Sequence, residues 1–191
     1  MKNILILGCP RVGKSLLANA IKNRLPHYNI ISGDALRIAL KQTFNKDYSK
    51  RENRPEFIQF LINTYLVLEK SQEYNKDNKN NYFIFDCTEL RKEDVALLQQ
   101  SSNPLIVFVG KPKLSAEELY LDIRAKENKF AGWTRYKDDE TLKQWAESYA
   151  KRTREEFIFC SENKILYLDT SFNQNQKIKK FADKIAKLVE E

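Results

Sequence analysis

The sequence predicts an α/β fold, three layers deep, with a five-stranded and mainly parallel sheet flanked by helices. Short apolar runs alternate along the chain with segments of helical periodicity, the pattern of strand–helix–strand units. The first run leads directly into a glycine-rich loop and a helix. The 191 residues, 42% hydrophobic and 12% aromatic, suffice for a single domain whose core needs neither disulfides nor a structural metal.

The strands expected are Asn3–Leu7, Tyr28–Ile31, Tyr82–Phe85, Leu105–Val109 and Ile165–Leu168. Each is short and rich in Ile, Val, Leu, Phe or Tyr, as strands covered on both faces are. Between them the spacing predicts helices. Lys14–Leu25 carries Leu17, Ala20 and Ile21 on one side and is stopped by Pro26, and Ala35–Phe44 follows the second strand. Glu56–Tyr74 sets Phe57, Leu61, Tyr65 and Leu68 at helical spacing, and Glu93–Gln100 follows the third strand. Ser115–Asn128 opens on a Ser115/Glu118 capping box, Asp138–Phe159 is long and charged, and Gln174–Glu190 turns Ile178, Phe181, Ile185 and Leu188 inward. The polar run Tyr74–Asn81 reads as a surface loop, and Lys126–Asp139, with Gly132 and Trp133, as a connection between two helices.

Charge and cysteines bound the function. Lys and Arg exceed Asp and Glu by 33 to 26, a net +7 that suits anionic partners or a merely solvated lysine-rich surface. Cys9, Cys87 and Cys160, with one histidine, His27, form no zinc-ligand pattern. With no secretory leader and no apolar stretch approaching the ~20 residues that span a bilayer, the expectation is a cytoplasmic protein with reduced thiols and no membrane partner.

The most specific motif is Gly8-Cys9-Pro10-Arg11-Val12-Gly13-Lys14-Ser15, a Gly-x-x-x-x-Gly-Lys-Ser phosphate loop between a strand and a helix. Its glycines let the backbone approach phosphates, and its N–H groups and the helix N-terminus supply partial positive charge. Lys14 is expected at the β- and γ-phosphates of ATP and Ser15 at Mg²⁺. Arg11 either touches the γ-phosphate or faces solvent, and Cys9 is either a thiol with lowered pKa or a small buried filler. No Asn-Lys-x-Asp guanine reader occurs, so GTPases are disfavoured.

After the second strand comes Ile31-Ser32-Gly33-Asp34-Ala35-Leu36-Arg37. This stretch resembles the nucleoside monophosphate kinase-like group of small P-loop kinases. It is similar to the acceptor-domain opening of adenylate kinases and to the Asp-x-x-Arg element of shikimate-, gluconate- and zeta toxin-type kinases. The resemblance implies a three-layer P-loop NTPase fold with acceptor-side helices over about 34–76 and a helical lid over about 115–160. It also implies that Arg37 holds an anionic group of the acceptor and that Asp34 orients or deprotonates an acceptor hydroxyl. A carboxylate and a guanidinium beside the phosphates suit phosphoryl transfer on chemical grounds too. The competing reading makes Asp34 the cap of a helix starting at Ala35 and leaves Arg37 exposed.

Asp86, at the end of the third strand, resembles a Walker B acid that holds Mg²⁺ through water, or else it starts a turn. Arg91 is loosely similar to the arginine of the adenylate kinase Asp-Gly-Phe-Pro-Arg motif, although Cys87-Thr88-Glu89 lacks its Gly and Pro and is one residue longer. Lid arginines are expected to steady the transferring phosphoryl group. Arg124 is preferred, on the helix leaving the fourth strand, with Arg135, Arg152 and Arg154 as alternatives and Lys126 and Lys151 nearby. Trp133 and Trp145 either stack on a base or pack the lid. Leu168-Asp169-Thr170-Ser171 resembles the segment that lies beside adenine, which places Thr170 at the nucleotide. Together these imply an Mg²⁺·ATP-dependent phosphotransferase acting on a small-molecule acceptor, metabolite or nucleotide. A nucleic-acid end kinase and a non-catalytic nucleotide-responsive switch remain as alternatives.

Overall fold

The computed structural model describes residues 2–74, 82–127 and 136–190. Five strands, β1 (Ile4–Leu7), β2 (Asn29–Ser32), β3 (Phe83–Cys87), β4 (Leu105–Gly110) and β5 (Leu166–Asp169), form one sheet in the order β2-β3-β1-β4-β5. All four pairings are parallel, so the mainly parallel expectation becomes a wholly parallel sheet. Parallel neighbours require crossovers, which the helices provide. They are α1 (Lys14–Lys22), α2 (Gly33–Phe44), α3 (Arg54–Tyr74), α4 (Lys92–Ser101), α5 (Ala116–Glu127), α6 (Asp139–Glu162) and α7 (Gln174–Glu190).

Ile4, Leu5, Ile6 and Leu7 are all fully buried, because helices cover both faces of the central strand. Ile4 and Ile6 meet Leu17, Ala18 and Ile21 of α1 and Ile178, Ala182 and Ile185 of α7. Leu5 and Leu7 face the opposite layer, with Phe57, Leu61 and Tyr65 of α3, Val95 and Leu98 of α4, and Cys160 of α6. Each such side chain stabilises the fold by about 1.5–3 kcal/mol relative to exposure. A third, smaller core joins α5 to α6 through Leu119, Ile123, Leu142, Ala146 and Ala150.

Boundaries move where capping decides them. Helix α2 begins at Gly33, two residues earlier than expected, because the Ser32 hydroxyl accepts from the Ala35 N–H at 3.3 Å. Ser32, not Asp34, is therefore the N-cap, and Asp34 sits exposed in the first turn. Helix α1 closes at Lys22, before Pro26, with Lys22 Nζ donating to the Pro26 carbonyl at 2.6 Å. The Ser115/Glu118 box forms as expected, with reciprocal bonds of 2.8 and 3.1 Å. On α7 the buried stripe is Ile178, Ala182, Ile185 and Val189, and Leu188 is exposed instead of inward. The loop expected within Tyr74–Asn81 falls, from residue 75 on, outside the described residues, as do Gly132, Trp133 and Arg135.

Candidate active site

The carboxyl ends of β2, β3 and β1 lie side by side, with Ser32 opposite Asp86 and Leu7 opposite Cys87. The phosphate loop leaves β1 there. Gly8 has φ +138°, and a Cβ would stand 2.1 Å from the Val109 carbonyl oxygen. Gly13 has φ +105°, and its Cβ would stand 2.3 Å from Gln174 Nε2. Both positions thus require glycine. Arg11 takes φ +63°, Pro10 and Arg11 are half-buried, and Cys9 and Val12 are buried. Lys14 is buried, and its Nζ donates to the Cys9 carbonyl at 2.9 Å. The Ser15 hydroxyl donates to Asp86 Oδ2 at 2.6 Å. Asp86 lies within β3 rather than at its end, since Cys87 continues the pairing. A hydroxyl and a carboxylate brought together beside the phosphate loop are hard oxygen donors of the kind Mg²⁺ takes. The residues present therefore fit a Mg²⁺–nucleotide.

Three helices send arginines to the loop after β3. From α2, Arg37 Nη2 donates to Asp34 Oδ1 at 3.2 Å, and its Nε lies 3.6 Å from Glu89 Oε1. From the start of α3, Arg54 Nη2 donates to the Glu89 carbonyl at 2.8 Å. From α6, Arg152 Nη2 donates to the carbonyls of Thr88 and Leu90 at 3.1 and 3.3 Å. Arg91 follows directly as the N-cap residue of α4, its N–H donating to Asp94 Oδ2 at 2.8 Å. The positive charges sense one another. Burial, then Arg91, lowers the Arg54 pKa, against Glu89 and Asp94, which raise it. Between α4 and α6 opens a cavity of about 210 Å³ lined by Arg91, Lys151, Arg152 and Glu156 among others. Guanidinium groups are suited to bidentate contact with oxyanions, and Arg91 and Arg152 both line this cavity.

On the other flank, Thr170 is buried, its hydroxyl 2.8 Å from the Val12 carbonyl and 3.1 Å from that of Gly110, which ties β5 to the phosphate loop. Gln174, at the start of α7, donates to the Val12 carbonyl at 3.4 Å and accepts from Lys126 at 3.1 Å. Lys126 and Lys111 both pair with Asp122, at 2.9 and 2.6 Å. Burial brings the Lys111 pKa down to about 8, against the carboxylate that raises it. Burial pushes the Cys9 thiol up to about 12, the opposite of the lowered pKa that a reactive thiol needs. Arg124 is held by Asp139 and by the Lys137 carbonyl at 3.2 Å, joining α5 to the start of α6. Arg154 holds the Leu114 carbonyl at 3.1 Å. Trp145 is half-buried against the α5–α6 core, with Lys137 Nζ 5.7 Å from its ring centre.

No family model matches the sequence, and no curated protein matches it. Solved structures do. A gluconokinase from Sinorhizobium meliloti 1021 superposes with a TM-score of 0.58 at 15% identity, over 99% of this chain and 95% of that one. A shikimate kinase from Bacteroides thetaiotaomicron gives 0.57 at 14% identity, over 100% and 99%. A shikimate kinase from Acinetobacter baumannii, in complex with shikimate, gives 0.55 at 11%, over 100% and 93%. The chain has the fold of the small P-loop kinases.

Within this P-loop kinase fold, the structure brings Ser15 to Asp86 and Arg37 to Asp34, all four named from the sequence. It sets Arg152, one of the alternative lid arginines, against the loop after β3, and Arg124, the preferred one, at the α5–α6 contact. Arg54, Glu89, Glu156 and Gln174 were not legible as site residues. Arg54 had one local signal, the Arg-Pro pair that opens α3, since proline favours a first helical turn. Among the described residues, no helix is long and apolar enough to cross a membrane.

Proposed function

We propose that the protein is an ATP-dependent phosphotransferase that moves the γ-phosphoryl group to a hydroxyl of a small, anionic acceptor. The observation that carries this reading is the convergence of Arg37, Arg54 and Arg152 on Thr88–Leu90, next to Asp34 and directly after the strand that carries Asp86, the partner of Ser15. The likeness to structures named gluconokinase and shikimate kinase supports a small-molecule acceptor. Three buried free cysteines suit the reducing cytoplasm.

Mg²⁺·ATP supplies the phosphoryl group and part of the charge neutralisation. The chain's own residues do the positioning on which this chemistry chiefly depends. The backbone of Gly8–Ser15 and the Lys14 ammonium would cradle the β- and γ-phosphates, Thr170 braces the loop, and Ser15 and Asp86 would hold the metal. Asp34, exposed in the first turn of α2, takes the proton of the acceptor hydroxyl. Arg37, Arg54, Arg91 and Arg152 bind the acceptor's anion. Arg124, at the α5–α6 contact, is the lid arginine of this reading and steadies the transferring phosphoryl group.

A coupled ATPase assay over hydroxy acids, sugar phosphates and nucleosides tests the reading. Turnover is expected with at least one anionic acceptor, and Asp34→Asn is expected to lower kcat by roughly 10²–10⁴ while nucleotide affinity holds. The reading fails if no acceptor stimulates turnover and no phosphorylated product forms.

A further inference from the structure

We propose that Glu156 is a positioning residue of the acceptor half, holding the Arg152 guanidinium in the orientation that receives the acceptor's anion. This rests on the phosphotransferase reading above.

Glu156 lies one turn after Arg152 on α6, and its Oε1 accepts from Arg152 Nε at 2.7 Å. Nη2 of the same guanidinium is held by the Thr88 and Leu90 carbonyls. Nη1 takes no partner among the described residues. The planar fork is thus fixed at two of its three nitrogens and left open at the third, in a residue that lines the α4–α6 cavity. Both side chains are largely enclosed, Arg152 at 14% exposure and Glu156 at 2%, which narrows the rotamers open to them.

Glu156 is expensive where it stands. Its Oε2 is buried with no hydrogen-bond partner, and burial raises its pKa against the opposing pull of Arg152, Lys14 and Arg91. An apolar side chain would fill the same volume without that cost. The carboxylate has one directed contact, the bond to Arg152, and that bond is what the cost sustains. The groups facing it are Arg152 and Cys160 on α6, Arg91 from α4, Lys14 and Cys9 from the phosphate loop, and Tyr167 from β5. Lys92, Glu93, Lys151 and Glu155 complete the cavity wall.

The sign of the effect separates positioning from simple electrostatics. A negative charge beside an anion site weakens anion binding, so removing it should tighten binding if charge alone mattered. Positioning predicts the reverse. Sulfate is the probe, because its charge is constant between pH 5 and 8. It is titrated calorimetrically into protein whose donor half is saturated with Mg²⁺ and a non-hydrolysable ATP analogue.

Glu156→Leu is expected to weaken sulfate binding roughly tenfold at pH 8. Glu156→Gln, which keeps an oxygen acceptor, should fall between it and the wild type. As pH drops and Glu156 takes its proton, wild-type affinity should fall toward that of the Gln variant, which stays flat. In an Arg152→Lys background, Glu156→Gln should add nothing. Affinity for the ATP analogue, unchanged in every variant, reports that each is folded. Sulfate binding that is equal or tighter in Glu156→Leu and Glu156→Gln overturns the proposal, as does wild-type protein that binds the analogue but no sulfate. Because the titration needs no turnover, it stands or falls separately from the search for a phosphorylated product.

Discussion

Ser15 Oγ and Asp86 Oδ2 stand 2.6 Å apart, one residue at the start of α1 and the other inside β3, so a hydrogen bond joins the phosphate loop to the strand beside it. This pair fixes where a metal would meet the nucleotide. Asp86→Asn keeps the shape and removes the charge. It is expected to weaken the Mg²⁺-dependent part of ATP affinity by about 10–100-fold, with metal-free binding nearly unchanged. Calorimetry with and without Mg²⁺ reads this directly, and equal losses in both conditions would show that Asp86 does not serve the metal.

Lys111 gives a pH signature in stability. Its folded pKa is lowered to about 8 from 10.5. Between those values the unfolded chain binds the proton and the folded chain does not, so stability rises with pH across that window. Urea unfolding of wild type and Lys111→Met from pH 7 to 10 should show wild type gaining on the variant above pH 8. A constant difference would mean that the ammonium is not strained in the fold.

Gly110 is a packing constraint. A Cβ at this position would lie 2.0 Å from Thr153 Oγ1 and 2.1 Å from the Tyr167 hydroxyl. Gly110→Ala should therefore cost about 1–3 kcal/mol, through displacement of α6 from β4 and β5. The midpoint of chemical denaturation measures it, and an unchanged midpoint would show that those side chains swing away freely.

Burial pushes the thiols of Cys9, Cys87 and Cys160 up to about 12 each. At pH 8 the thiolate fraction is then on the order of 10⁻⁴, too small for ready alkylation. Native protein is expected to resist a thiol reagent that labels all three cysteines after denaturation. Fast loss of nucleotide binding on mild oxidation would instead mark Cys9 as accessible.

Local features of the sequence were legible because they depend on neighbours along the chain. The phosphate loop, the Ser115/Glu118 box and the alternation of strands and helices are of this kind. Asp86 could be named because it ends an apolar run, and the parallel register then delivers it to Ser15. The arginine cluster was not legible in that way. Arg54 and Arg152 reach Thr88–Leu90 across 35 and 62–64 residues of chain, and neither the Arg-Pro pair at Arg54 nor the position of Arg152 on a long charged helix says that they meet there. Arg124 was preferred for its place after β4, and its pairing with Asp139, fifteen residues on, depends on a helix–helix contact that spacing alone does not show. Leu188 shows the drift of a 3.6-residue period over the 17 residues of α7, which turns Val189 inward in its place.

Helix α6 pins Thr153 to the sheet, where its hydroxyl accepts from the Lys111 N–H at 2.8 Å. From there the helix runs about 21 Å back to Asp139, at 1.5 Å per residue, whereas Arg152 is only one residue from the pin. The geometry is that of a lever with its fulcrum beside Arg152. A tilt that sweeps the far end through several ångströms displaces the Arg152 backbone by a fraction of one. Any movement of the α5–α6 end about this pin would therefore displace Arg152, the anchoring point of the proposed acceptor site, least of all.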